Sequence, residues 1–133
     1  MRRFVIPLDE IEQDVKSDLA PLSKYGLTFQ GLVSYSFQGY GISSFEILES
    51  HISKDLLETC INLRADDPHS FRRVVHTCFD RIQEISQRLA PLLERTLGVT
   101  PDQVDVNGFI GNDVVVSLRN DVLSHVNQFH SGV

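Results

Sequence analysis

Nothing in this 133-residue chain approaches the run of about 20 apolar residues that a membrane-spanning helix needs. Cysteine is scarce too. Cys60 and Cys78 are the two present, each on the apolar face of a predicted helix. Such isolated cysteines point to buried, reduced thiols and a cytoplasmic setting rather than to a disulfide framework. Basic charge is the third shortage: 12 Lys and Arg stand against 18 Asp and Glu, a formal net charge of −6. The imbalance is regional. Residues 1–66 carry six basic and ten acidic side chains, residues 67–98 five and four, and residues 99–133 one and four. A broad phosphate-binding surface is therefore not expected, and nucleic acid is a poor candidate partner. Arg2 and Arg3 open the chain as a secretory signal does, but the apolar run that follows is too short and four acids arrive by residue 14.

Motifs that carry chemistry are also missing. No serine or cysteine sits in a glycine-flanked nucleophile elbow. Gly39-Tyr40-Gly41 is too short for a dinucleotide fingerprint, and no glycine-rich loop ends in Lys-Ser or Lys-Thr. His69 and His76 are seven apart, His125 and His130 five apart, and neither pair has a third donor at zinc-site spacing. Neither a metal nor a cofactor is expected.

What is present is an ordinary globular composition, 41% hydrophobic and 23% charged, at a length that suits a single domain over residues 1–133. At that mass about two-thirds of the extended chain's surface would be buried on folding, enough for a core without staples. Residues 3–6 read as a short strand ended by Pro7. Asp9 and Glu12 form a capping box ahead of Ile11, Val15, Leu19 and Leu22 at helical spacing. From residue 27 to 37, Leu27, Phe29, Val33, Tyr35 and Phe37 alternate with polar residues, the pattern of a strand with one face buried; a turn over residues 38–41 follows. Ser43 and Glu46 start another amphipathic helix through Phe45, Leu48, Ile52, Leu56, Cys60 and Leu63. Asp67-Pro68 is a strong helix start, and Gly98 a natural helix end. Residues 104–106 and 114–118 are strand candidates. Asn107-Gly108 and Gly111-Asn112-Asp113 compete for the turn between them. Asp121 would cap a short terminal helix. The fold class is thus α+β: a small, mainly antiparallel sheet of three to four strands, a long central helix and two or three further helices.

The strongest periodic signal lies in that long helix. Phe71, Val75, Cys78, Ile82, Ile85, Leu89 and Leu92 recur at alternating steps of four and three. A period of 3.5 is the coiled-coil spacing, while flanking Val74, Phe79, Leu93 and Leu97 widen the stripe as packing inside a domain would. The seam fits an internal core helix, and it also fits a subunit interface, with a dimer favoured. Pro91 removes a backbone hydrogen bond at a cost of ~3 kcal/mol in a straight helix, so a kink or break near residues 89–91 is expected.

Three further groups are candidate sites. Asp102, Asp105 and Asp113 form an acidic C-terminal region suited to a basic protein partner. Tyr35 and Tyr40 would border a ligand pocket between the sheet and the long helix. Residues 119–125, an arginine followed by Asn120 and, later, His125, resemble the short signature of the HEPN ribonuclease domains. That resemblance implies a metal-independent ribonuclease or phosphoester enzyme in which Arg119 steadies phosphate charge and His125 moves a proton. It covers seven residues, and the family is all-helical whereas residues 114–118 read as a strand. The leading expectation is a non-enzymatic interaction protein, an acidic adaptor, inhibitor, immunity-type or chaperone-type domain that self-associates; the ribonuclease is the alternative.

Overall fold

The computed structural model describes residues 2–23, 25–42, 44–59 and 68–119. Among them the chain forms a short strand β1 (Phe4–Ile6), helices α1 (Asp9–Ser23), α2 (Phe29–Gly41), α3 (Phe45–Thr59) and α4 (Pro68–Leu97), a 3₁₀ turn (Pro101–Gln103), and strands β2 (Val104–Ile110) and β3 (Asp113–Leu118). The α+β class with its long central helix and small antiparallel sheet is what the periodicities imply. No helix among the described residues is long and apolar enough to cross a membrane.

Residues 27–37 depart from expectation: they form helix α2, not a strand. The alternating set Leu27, Phe29, Val33, Tyr35 and Phe37 coexists with a helical stripe, because Phe29, Leu32, Val33, Ser36 and Phe37 are the residues buried. Their spacing of three, one, three and one is that of a single helix face. Thr28 is the N-cap, its Oγ1 accepting the Gly31 N–H at 3.1 Å. The β-rich composition yields to tertiary packing here, since α2 lies against α1, α3, α4 and β2. Ser36 is fully buried between α2 and α4; its hydroxyl donates to the Leu32 carbonyl at 2.8 Å and lies 3.2 Å from that of Ile82. Residues 38–41, expected as a turn, complete the helix, and Gly39 brings its backbone against Leu48 of α3.

Helix ends follow capping chemistry. Gly26, at φ 77°, closes α1 with Gly26 N–H to Ser23 O and Leu27 N–H to Leu22 O, the paired bonds of a Schellman motif. Gly98, at φ 68°, closes α4 by donating to the carbonyls of Leu93 and Glu94. Helix α4 runs unbroken through Pro91, so of the kink or break expected there the break is absent. Pro91 and Gln87 are both exposed, so the Gln87 carbonyl deprived of its helical partner sits in a solvent-accessible turn. Cys60, Leu63 and Asp67 lie outside the described residues, as do Ser43, Asp121, His125 and His130.

The sheet has the order β1-β3-β2, both pairs antiparallel. Its hairpin turn is Gly111-Asn112, with φ positive (61°) only at the glycine, the pattern of a type II′ turn. Asn107-Gly108 instead makes a one-residue bulge: the register steps from Val106↔Val116 to Gly108↔Val115, and Gly108 has φ 149°. One core cluster joins Ile6, Val114 and Val116 of the sheet to the inner faces of all four helices.

Candidate functional site

The α4 seam faces inward. Val75 and Cys78 are buried, Ile82, Ile85 and Leu89 are wholly inaccessible within a single chain, and Phe71 and Leu92 at its ends keep partial exposure. Burial also raises the Cys78 thiol to about 11, so it stays protonated and unreactive at neutral pH. On the flank of α4, Arg81 binds Asp18 of α1 at 2.7 Å and Glu84 at 3.0 Å. Arg88 binds Asp14 of α1 and approaches Glu84 at 3.8 Å. These half-exposed pairs orient α1 along α4 and contribute little stability individually.

The three acidic residues do not share one surface. Asp113 anchors the hairpin to the start of α1, its Oδ1 accepting the Leu8 N–H at 3.2 Å, while neighbouring Asn112 donates to Glu12 Oε1 at 2.7 Å. Glu12, expected to cap its own helix, is thus a partner of the hairpin, and the Leu8 carbonyl takes the first helical bond from the Glu12 N–H. Asp105 pairs in register with Ser117, four residues along β3 from Asp113. At the strand rise that is roughly 13 Å away. Asp102 and Asp105, by contrast, come together with Arg119 along a groove of about 370 Å³ between α2 and β2, whose floor includes Phe37, Val104 and Val106. Arg119 Nε donates to Asp105 Oδ1 at 3.2 Å. Asp102 accepts the Thr100 hydroxyl in the 3₁₀ turn, whose start is tied by Thr100 N–H to Gln103 Oε1 at 3.0 Å.

The two tyrosines take separate roles. Tyr35 donates its hydroxyl to Asp55 of α3; burial first, then that carboxylate, push its phenol well above the ordinary value. Tyr40 donates to the Ser86 carbonyl of α4 at 2.6 Å and borders a second cleft of about 410 Å³ with Phe45, Leu48 and Ser86. Burial and the charge of Asp102 raise its phenol too. This cleft lies among helices α2, α3 and α4, not between sheet and helix, and only Tyr40 of the pair lines it. Tyr35 is therefore a tie between α2 and α3.

Sequence reasoning missed the β2 edge, which the fold exposes. Among the described residues strand β2 lies at the rim of the sheet, and two of its apolar side chains, Val106 (36%) and Ile110 (62%), are exposed. The alternation of main-chain directions follows from one bond: Arg119 N–H donates to Gln103 O at 2.9 Å. Counting along the register from that bonded pair, Asp105 points its main-chain groups toward β3, while Val104 and Val106 point theirs outward, away from the sheet. The Asn107–Gly108 dipeptide was the available signal, since a bulge re-aims a strand at a sheet rim.

Among the described residues no group of three or more His, Cys, Asp or Glu is placed to hold a metal ion. No protein-family model, curated protein or solved structure matches the chain.

Proposed function

We propose that this protein is a non-enzymatic protein-interaction module working through the flank formed by α2 and β2. The observation that carries this reading is the β2 edge itself: a strand rim that is unpaired among the described residues, with exposed Val106 and Ile110, beside a groove bearing Asp102 and Asp105. Folded proteins usually blunt such edges, because outward N–H and C=O groups recruit another chain. The net charge of −6 favours a basic partner. A cytoplasmic setting belongs to the same proposal and accords with the free, buried thiol of Cys78. Self-association through the α4 seam would have to use its half-buried ends, Phe71 and Leu92, since the residues between them are closed off inside one chain. The ribonuclease reading asks Arg119 to meet a phosphate, whereas its guanidinium here engages Asp105.

The test is capture from an extract of the source organism on immobilised wild-type chain and on the Asp102→Lys, Asp105→Lys double variant, with bound proteins quantified by mass spectrometry. A discrete protein set held by the wild type and lost from the variant is the expected result. Retention indifferent to the charge reversal, or no retention above the bare support, contradicts the proposal. Cleavage of single-stranded RNA by the wild type that disappears in Arg119→Ala would replace it with the enzymatic reading.

A further inference from the structure

We infer that an extended, alternating apolar and basic peptide segment of a partner protein adds to the outer edge of β2 as a fourth strand, seated in the groove between β2 and α2. The inference rests on the interaction reading above and gives it a mode and a partner chemistry.

The main chain supplies the first half of the argument. Val106 directs its N–H and C=O outward, and Val104, which ends the 3₁₀ turn and is itself largely buried, brings its carbonyl to the same edge two residues away, the spacing of successive rungs in a ladder. Strand addition needs such rungs and a neighbouring groove to take alternate side chains. The groove is present, with Ser34, Phe37 and Gly41 of α2 forming the wall opposite Val104 and Val106. Gly41 leaves open space where a side chain would stand.

The two faces of the sheet then set the peptide's chemistry. Val104 and Val106 pair across from Leu118 and Val116, on the face that looks toward the core; Asp105 pairs across from Ser117, on the opposite face. Side chains of an added strand alternate in the same way. One set meets Val106 and Phe37 and must be apolar. The other set runs beside Asp105, which already holds Arg119 at 3.2 Å, with Asp102 nearby; two carboxylates against one guanidinium leave the groove net acidic, so this set is best basic. A second copy of this chain fits the edge poorly. Two-fold antiparallel pairing through the Val104 and Val106 rungs sets Asp105 directly opposite its own copy, a like-charge pair that destabilises a sheet.

The proposal is tested by selecting a phage-displayed library of random eight-residue peptides on the immobilised full-length chain, then titrating the enriched peptides, made synthetically, by fluorescence anisotropy. Val106→Pro is the diagnostic variant. It removes an outward N–H without touching the β2–β3 ladder, and edge strands tolerate proline at such positions. Enriched peptides should alternate apolar residues with Lys or Arg. Their affinity should fall at least tenfold for Val106→Pro, whose helical circular dichroism should match the wild type, and severalfold for Asp102→Lys. Peptides that bind Val106→Pro as tightly as wild type overturn strand addition while leaving the interaction reading standing. Enrichment of acidic sequences overturns the partner chemistry, and no enrichment at all overturns the inference, with the extract capture still deciding the broader reading. Dimers of the wild-type chain that Val106→Pro dissolves would assign the edge to a second copy and contradict the choice of occupant. If Val106→Pro fails to fold, Val106→Lys, which keeps the N–H but crowds the groove with like charge for a basic peptide, should lower affinity to the same degree; unchanged binding to it overturns the inference.

Discussion

The seam of α4 and the rim of β2 are both regular rows of groups that ask for a partner, yet the fold treats them oppositely. Along the seam, Ile82, Ile85 and Leu89 are fully enclosed by the chain's other elements. Along the rim, Val106 and Ile110 keep exposure on opposite faces of the sheet, and the backbone of Val106 points outward. Apolar side chains on a helix are satisfied from any direction by any close-packed neighbour. Backbone groups on a sheet edge accept only another extended chain at one spacing. The first kind of demand is met inside the fold; the second goes unmet among the described residues, and the proposed peptide strand would meet it.

The contrast can be broken from the interior outward. Ile82→Ala should show the largest effect, a loss of about 2–5 kcal/mol in urea unfolding, because it opens a cavity at a fully buried site. A loss below 1 kcal/mol would mean that the seam is not the interior of one chain. Alkaline pH tests the same region without mutation. The Cys78 thiol is raised from 9.0 to about 11 on folding, so the folded state holds its proton more tightly. That contribution is complete below pH 9 and is lost as pH rises to about 11. Tyr35, raised by burial and by Asp55, adds a further loss above its ordinary value of 10.0. The melting temperature should therefore fall across this window, and less steeply between pH 9 and 10 in Cys78→Ala. A flat profile would deny the burial of both groups.

Asp113→Ala should cost about 1 kcal/mol, the value of a cap-like bond to the Leu8 N–H, and should leave peptide capture unchanged. Captured peptide lost with Asp113 would make the acidic residues one surface after all. The smallest stability change is expected at the rim: Ile110→Thr should stay within about 0.5 kcal/mol, since 62% of Ile110 is already exposed. A larger loss there would mean that the outer sheet face is covered.

Periodicity made most of the architecture legible. Helices α1, α3 and α4 carry long apolar stripes, and Gly26 and Gly98 mark real ends. Helix α2 was hidden because Phe29, Val33 and Phe37 satisfy a period of two as well as 3.6, and the residues that separate the readings, Leu32 and Ser36, are few. Ser36 in particular reads as polar, yet it is buried with its hydroxyl bonded to the backbone. In the hairpin, Asn107-Gly108 has the composition of a turn, but the turn went to Gly111-Asn112, leaving the first glycine's positive φ to serve a bulge. Of the site, Asp102, Asp105 and Arg119 were each visible as residues. Their convergence beside α2 was not, because it depends on a helix that reads as a strand and on which strand ends at the rim.

Amide hydrogen exchange of the free chain, read residue by residue, tests the division between interior and rim most directly. Along one strand, the Asp105 amide bonds into the sheet and the Val106 amide points out of it, so Val106 should exchange about a hundredfold faster than Asp105, while Ile82 and Ile85 should be among the slowest. Equal, strong protection of Val106 and Asp105 in the free chain would show that the rim is already occupied and would contradict the account.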